Sequence, residues 1–126
     1  MLTKLLLLAL AGGLGTLARF GLSLAVSERF GSRLPWGTLA VNTLGCLLFG
    51  CIWALGENGR WITPEQRALV LTGFMGAFTT FSTYGFETMR LLELSAPGGA
   101  VAYVVSQNAL GLAGVWLGMR LGALVA

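Results

Sequence analysis

The stretch between Gly73 and Thr88 carries the residue types best suited to chemistry in an otherwise apolar region. It reads GFMGAFTTFSTYGFET and holds three glycines, four phenylalanines and six hydroxyl side chains. Backbone that leaves the helix at membrane depth must be buried in protein or line an aqueous cavity, and its freed carbonyls can bind a cation. The stretch therefore predicts a helix break with a function. A continuous helix whose hydroxyls bond its own carbonyls is the alternative.

The phenylalanines of this stretch are spaced to share a face. Phe74, Phe78 and Phe81 fall at i, i+4 and i+7, which is one face of a helix, and Tyr84 follows three residues later. An apolar stripe of this kind usually packs in a core. An aromatic ring also has a positive edge, however, and such edges along a narrow pathway would attract an anion and repel a cation.

Two further polar side chains lie within apolar stretches, where an amide or a charge is costly and marks a functional candidate. Asn42 sits in WGTLAVNTLGCLLFG, and its amide could form a hydrogen bond between helices or face a polar pathway as a donor. Arg19 is the only clear charge well inside a span. Its guanidinium could reach the interface, be buried against carbonyls or a carboxylate, or hold a potential that attracts anions.

These residues sit in a chain whose composition is that of a membrane protein. Of its 126 residues, 56% are hydrophobic and 10% are charged, against about 25% charged in soluble domains. A spanning helix needs about 20 mainly apolar residues. The first apolar run continues to Val26 with no cleavage site after it, so we interpret it as a span and not as a signal peptide. We predict one all-α integral membrane domain, 1–126, with four transmembrane helices at approximately 3–27, 35–56, 65–93 and 98–124, the third broken in mid-membrane.

The Lys and Arg residues near the two ends of the predicted bundle are almost evenly divided between those ends, with Arg19 left out because it lies well inside the first span. The end with both termini and the second loop carries four, and the opposite end carries three. Because Lys and Arg in short loops normally set orientation, so weak a bias permits insertion both ways and antiparallel pairing of two copies. A single orientation set by another factor is the alternative. The residues counted are Lys4, Arg60, Arg67 and Arg120 against Arg29, Arg33 and Arg90.

Small residues recur at four-residue spacing in two of the spans. Gly114, Gly118 and Gly122 do so in the last span, and Ala11 and Gly15 in the first. Such positions let helix backbones approach each other closely in lipid. They could pack helices within one chain or between two chains.

The sequence offers little to an enzyme or to a nucleic-acid-binding protein. It has no histidine, and Cys46 and Cys51 lie five apart, which is not a metal-ligand spacing. The net charge of +3 is ordinary and does not indicate nucleic acid. A small proton-coupled multidrug exporter would need an acid deep in the first span, which has only Glu28 at its end. A non-transporting membrane subunit would leave Asn42, Arg19 and the predicted break without a shared cause.

Together these features resemble the Fluc (CrcB) family of fluoride channels over essentially the whole chain. The resemblance implies a fluoride-selective channel that exports fluoride passively across the cytoplasmic (inner) membrane. It implies an antiparallel, dual-topology homodimer with two pores. The motifs that carry the resemblance are GGLGTLARF (12–20), WGTLAVNTLGCLLFG (36–50), GFMGAFTTFSTYGFET (73–88) and GLAGVWLG (111–118).

The resemblance also assigns roles to individual residues. A structural sodium ion, Na+, would sit at the centre of the dimer, held by the main-chain carbonyls of Gly76 and Thr79 from each subunit. An amide, ring edges, hydroxyls and one cation would line or influence the anion pathway. The residues implied are Asn42, Phe81, Tyr84, Ser82, Thr83, Tyr103 and Arg19.

Two positions depart from the family pattern. Tyr84 stands where a second phenylalanine is usual, so it keeps the ring edge and adds a hydroxyl that could alter anion contacts. Gln107 stands one turn after Tyr103, where serine is common, with Ser106 and Asn108 on either side. The lining of the outer pore therefore depends on side chains that the family pattern does not supply.

Overall fold

The computed structural model describes residues 1–57 and 59–126, and every regular element in that part of the chain is a helix. Three of the helices, Leu2–Phe30, Trp36–Leu55 and Pro97–Ala123, are each long and apolar enough to cross a membrane. In chain order the elements are α1 Leu2–Phe30, α2 Trp36–Leu55, α3 Pro64–Ala68, a π-helix Leu69–Met75, α4 Gly76–Phe78, α5 Phe81–Glu93 and α6 Pro97–Ala123.

The segment predicted as one broken span, 65–93, consists of four consecutive helical pieces. None of them is long enough to cross a membrane alone, so the described residues contain three candidate spans where four were predicted. The segment nevertheless runs along the whole bundle. Glu65 pairs with Lys4 near the start of α1, and Leu91 packs with Ala100 near the start of α6. It therefore extends from the end of the bundle where α1 begins to the end where α6 begins.

Side-chain caps explain where two of the four pieces of this segment begin. Thr63 Oγ1 accepts from the Gln66 N–H at 3.2 Å, and Gln66 Oε1 accepts from the Thr63 N–H at 3.0 Å, which is a capping box. Pro64 follows at the first helical position, where its missing N–H leaves no bond unmade. Thr80 caps α5 by accepting from the Thr83 N–H at 3.2 Å. Both helix starts are therefore encoded locally.

Helices α2 and α6 pack with their backbones nearly in contact because glycines face the neighbouring helix. A Cβ on Gly118 would lie 2.9 Å from the Cys51 nitrogen, and one on Gly122 would lie 2.6 Å from the Cys51 carbonyl oxygen. From the other side, a Cβ on Gly50 would lie 2.8 Å from the Met119 nitrogen. The glycines of the last span therefore pack helices within one chain, which was one of the two alternatives.

Helix α1 packs on the π-helix and α4 through its own small residues. A Cβ on Gly15 would lie 3.2 Å from the Phe78 nitrogen, and one on Gly73 would lie 2.9 Å from the Ala11 Cβ. The spacing of Ala11 and Gly15 therefore also serves packing inside the chain.

Both termini and the second loop lie at one end of the bundle. Lys4 Nζ is 2.6 Å from Glu65 Oε1, and Trp61 Nε1 donates a hydrogen bond to the Val125 carbonyl at 3.0 Å. The predicted division of Lys and Arg between the two ends of the bundle depends on this grouping of the termini with the second loop. Large apolar side chains such as Leu10 cover the outside of α1, as expected of a helix that faces lipid.

Candidate functional site

The chain leaves the helical conformation at Thr79 and Thr80, between α4 and α5. Thr79 has φ −82° and ψ 158°, and Thr80 has φ −149° and ψ 112°, so both are extended. In a continuous helix the Thr80 N–H would bond the Gly76 carbonyl and the Thr83 N–H would bond the Thr79 carbonyl. Here the Thr80 N–H donates to Asn42 Oδ1 at 2.8 Å, and the Thr83 N–H donates to Thr80 Oγ1 at 3.2 Å. The carbonyls of Gly76 and Thr79 therefore both lose their helical donors.

Asn42 forms two hydrogen bonds with the backbone of Thr80. Besides the Oδ1 contact, Asn42 Nδ2 donates to the Thr80 carbonyl at 3.1 Å. Nδ2 also donates to Gln107 Oε1 at 3.3 Å. The hydrogen bond between helices, one of the two roles considered for Asn42, is thus present, and both amide hydrogens have acceptors within the chain. Its role as a donor to a permeating ion stays a prediction.

A second set of hydrogen bonds continues from Gln107 away from the break. Gln107 Nε2 donates to the Tyr103 hydroxyl at 3.0 Å, and that hydroxyl donates to Glu87 Oε2 at 2.6 Å. Thr38 Oγ1 donates to Glu87 Oε1 at 2.8 Å. Together with Asn42, these residues form one polar network that joins α2, α5 and α6.

Glu87 is a member of this network that reasoning from the sequence missed. Its carboxylate is half-buried and accepts hydrogen bonds from two hydroxyls. The signal was present, because Glu87 is an acid within an apolar stretch, just as Arg19 is a base within one. Its partners Thr38 and Tyr103 lie on other helices, so the network itself could not be anticipated from spacing.

The aromatic residues of the segment divide into two groups, and the single helical face predicted for them is wrong. Phe78 is 4% exposed and stacks on Phe74 with ring centroids 5.8 Å apart. Phe81 is 83% exposed and meets Tyr84 edge-on at a centroid distance of 5.4 Å. The two extended residues between Phe78 and Phe81 end the helical periodicity, so the rings point in different directions. Tyr84 in turn lies 5.6 Å from the ring of Tyr103.

A cleft of about 370 Å³ opens beside the break. It brings together three residues of the predicted anion pathway, Asn42, Phe81 and Tyr84, with Gln107 and Asn108 on the α6 side. The Tyr84 hydroxyl, absent from the usual family pattern, accepts a hydrogen bond from Asn108 Nδ2 at 3.3 Å. Both departures from the family pattern therefore meet in this cleft.

Two predicted hydroxyls lie on the first turn of α5, outside the lining of the cleft. Ser82 Oγ is 3.3 Å and Thr83 Oγ1 is 2.8 Å from Thr80 Oγ1. These contacts form a small hydroxyl cluster around the cap of α5. The cluster lies at the end of the helix where free N–H groups give a partial positive charge.

The remaining predicted residues also lie outside the cleft. Tyr103 is 2% exposed and is linked to the cleft through its hydrogen bond with Gln107. Arg19 is half-buried on α1 and forms no ion pair with the residues that the structure describes. Gly76 is exposed on the surface of the single chain. Within the described residues, no group of three or more His, Cys, Asp or Glu side chains could hold a metal ion.

The chain matches a known protein family and several named relatives over most of its length. The family described as CrcB-like protein, Camphor Resistance (CrcB), matches residues 6–119. The fluoride-specific ion channel FluC of Nitrosococcus oceani is 50% identical over 99% of this chain and 100% of that protein. The channel of the same name from Nitratidesulfovibrio vulgaris (strain Miyazaki F) is 48% identical over 97% and 98%. That of Acidobacterium capsulatum is 44% identical over 94% and 95%.

These relatives are similar to the chain from end to end, and each is named as an ion channel and not as an enzyme. Together with the three long apolar helices, the match identifies a multi-pass membrane protein. The chain belongs to the CrcB family.

Proposed function

We propose that the chain forms a fluoride-selective ion channel that exports fluoride passively across the cytoplasmic (inner) membrane. One observation carries the proposal: a helix break held open by Asn42 adjoins a cleft in which the rings of Phe81 and Tyr84 meet edge to face. The relatives named fluoride-specific ion channels support the same conclusion.

The chemistry of this region suits a small anion. Fluoride is strongly hydrated, so a pathway has to replace several water contacts while leaving the ion free to move on. Positive ring edges, hydroxyls and the N-terminal end of α5 are each modest partners for an anion. Arg19 would act from α1 through its charge. The proposed pathway comprises Asn42, Phe81, Tyr84, Ser82, Thr83, Tyr103 and Arg19.

The carbonyls freed at the break fit a structural sodium ion. Gly76 and Thr79 each have a carbonyl without its helical donor, because the Thr80 and Thr83 N–H groups are directed to side chains. Unwound backbone carbonyls are the ligands that Na+ takes in transporters. When bound, the ion supplies a positive charge that draws these carbonyls together. One chain offers two of them, so a second copy would contribute two more.

Antiparallel pairing of two copies is part of the proposal and accounts for the same features. The four-against-three division of positive charges permits both orientations in the membrane. Phe81 and Gly76 are both exposed beside the break in the single chain. Two copies related by a two-fold axis in the membrane plane would cover these residues and give one pathway for each chain.

Ion efflux from liposomes containing the purified protein tests the proposed function. Vesicles loaded with potassium fluoride are diluted into fluoride-free buffer with a potassium ionophore, and a fluoride electrode records the release. We expect rapid fluoride release, and little chloride release from matched vesicles loaded with potassium chloride. Protein-free vesicles give the background. A folded protein that releases neither ion would support a membrane subunit without transport activity.

The sodium site has a separate test that needs no flux. A ligand that binds only the folded protein raises its stability with concentration. We expect the thermal unfolding temperature of the detergent-solubilised protein to rise when N-methyl-D-glucamine is replaced by Na+ at constant ionic strength. An unfolding temperature that does not change with Na+ would contradict the proposed site.

A further inference from the structure

Gln107 is a neutral side chain, 8% exposed, that lies between Asn42 and Tyr103 on the wall of the cleft. Its Oε1 accepts from Asn42 Nδ2 at 3.3 Å, and its Nε2 donates to the Tyr103 hydroxyl at 3.0 Å. N–H···O bonds usually span about 2.7–3.2 Å, so the contact with Asn42 is the weaker of the two. The bond between the Thr80 N–H and Asn42 is much shorter, at 2.8 Å.

An anion in the cleft needs hydrogen-bond donors, and the amide hydrogens of Asn42 and the hydroxyl hydrogen of Tyr103 already have acceptors. Asn42 has two amide hydrogens, of which one goes to the Thr80 carbonyl and the other to Gln107 Oε1. The single hydroxyl hydrogen of Tyr103 goes to Glu87 at 2.6 Å. The Thr80 carbonyl is backbone, and the bond to Glu87 involves a carboxylate, which makes it strong. Gln107 Oε1, a neutral acceptor on a rotatable stem, is therefore the acceptor most readily displaced.

We propose that Gln107 competes with the anion for the Asn42 amide hydrogen and thereby lowers the rate at which this protein passes fluoride. The inference rests on the proposed function. While Gln107 Oε1 holds the hydrogen, Asn42 has no donor to offer to an ion in the cleft. When the side chain rotates away, the Asn42 hydrogen faces the cleft and can replace one of the water contacts of the ion. Gln107 thus sets how often this donor is available.

Two substitutions at position 107 separate competition from packing because they predict opposite effects. Gln107→Met keeps an unbranched side chain of similar length, but its thioether is a weak acceptor. We expect its fluoride efflux rate to rise about fivefold, which corresponds to the loss of one neutral hydrogen bond. Gln107→Glu keeps the shape and places a charged acceptor beside Asn42, so its efflux rate should fall below that of the wild type. A role in packing alone would not raise the rate in Gln107→Met.

The control is Ser106→Ala, one residue away on α6 at a position that lines a different, smaller cavity. Its efflux rate should match that of the wild type. All rates are compared at equal protein content, for protein that elutes as a single folded species in size-exclusion chromatography. If Gln107→Met does not fold, Gln107→Leu provides the apolar variant.

The outcomes distinguish this inference from the proposed function. If the wild type releases fluoride and the apolar variant is no faster, competition by Gln107 is overturned and the channel stands. If the wild type releases no fluoride, the proposed function fails for the native sequence. If the apolar variant alone then releases fluoride, competition between Gln107 and the anion is still supported. If the apolar variant also releases no fluoride, that competition is overturned as well.

Discussion

The interface between α2 and α6 and the interrupted stretch 76–83 satisfy their backbones in opposite ways. In the two long helices, the backbone groups bond within their own helix, and glycines such as Gly118 and Gly50 allow the helices to touch. At the break, the Thr80 N–H bonds the side chain of Asn42 instead, and the Asn42 amide also donates to the Thr80 carbonyl. The α2–α6 interface has no side chain at its closest contacts, whereas at the break the Asn42 side chain replaces a backbone hydrogen-bond acceptor.

This difference indicates what each region does. The α2–α6 pair is a close-packed frame, so it holds Asn42 and Gln107 at defined positions facing the break. The break leaves the carbonyls of Gly76 and Thr79 without their helical donors, and the proposed function assigns the ions to this region. Gly45 joins the two regions, because its missing side chain lets Thr79 lie directly against α2. A Cβ at this position would also lie 3.2 Å from the ring of Phe78.

The largest effect is expected from placing a bulky side chain at a glycine in the α2–α6 interface. Gly118→Val would force a branched side chain against the backbone of α2, where even a Cβ would lie 2.9 Å from the Cys51 nitrogen. Overpacking of this kind costs about 3 kcal/mol at the upper end of the usual range. We expect little folded protein, measured as the yield of the monodisperse species in size-exclusion chromatography. Gly13→Val is the matched control, because no atom beyond the adjoining turns of its own helix lies within 4 Å of a Cβ there. Equal yields from both variants would show that the α2–α6 contact is not close-packed.

An intermediate effect is expected from removing the Asn42 side chain, which accepts the Thr80 N–H at the break. Asn42→Ala leaves the Thr80 N–H without its acceptor, at about 1–3 kcal/mol for a buried group. We expect a lower thermal unfolding temperature and strongly reduced fluoride efflux, with the protein still able to form dimers. Thr3→Ala is the control, since Thr3 is exposed near the start of α1 and does not line the cleft. An Asn42→Ala variant with wild-type unfolding and efflux would remove this side chain from both roles.

The smallest effect on stability is expected from changing a ring at the break. Phe81 is exposed and meets Tyr84 edge-on, so Phe81→Ile should hardly change the unfolding temperature. The loss of a positive ring edge should still reduce fluoride efflux by up to about tenfold, given the strength of such aromatic contacts. Phe86→Ile, also on an exposed position of α5 but away from the cleft, is the control. Unimpaired efflux in Phe81→Ile would exclude this ring from the pathway.

Reasoning from the sequence went furthest where the signal is local. The polar stretch around Thr79 and Thr80 predicted a break, and the structure has two extended residues there. Asn42 was singled out as a costly amide, but its partner Thr80 lies 38 residues away, so only the folded chain could join them. The assignment of Phe81 to the same face as Phe78 failed because the break itself removes the helical periodicity on which it depended.

By itself, the sequence determined that this is a helical membrane protein of the CrcB type. The length of an apolar run, the density of charge and the presence of a capping residue such as Thr63 each depend only on residues that are close in the sequence. They can therefore be recognised without the folded structure. Only the tertiary structure decided that the glycines of the last span pack against α2 and that Glu87 and Gln107 enter one network with Asn42. Hydrogen bonds between helices depend on how each helix is rotated and shifted against the others, and that geometry is set by packing across the whole bundle.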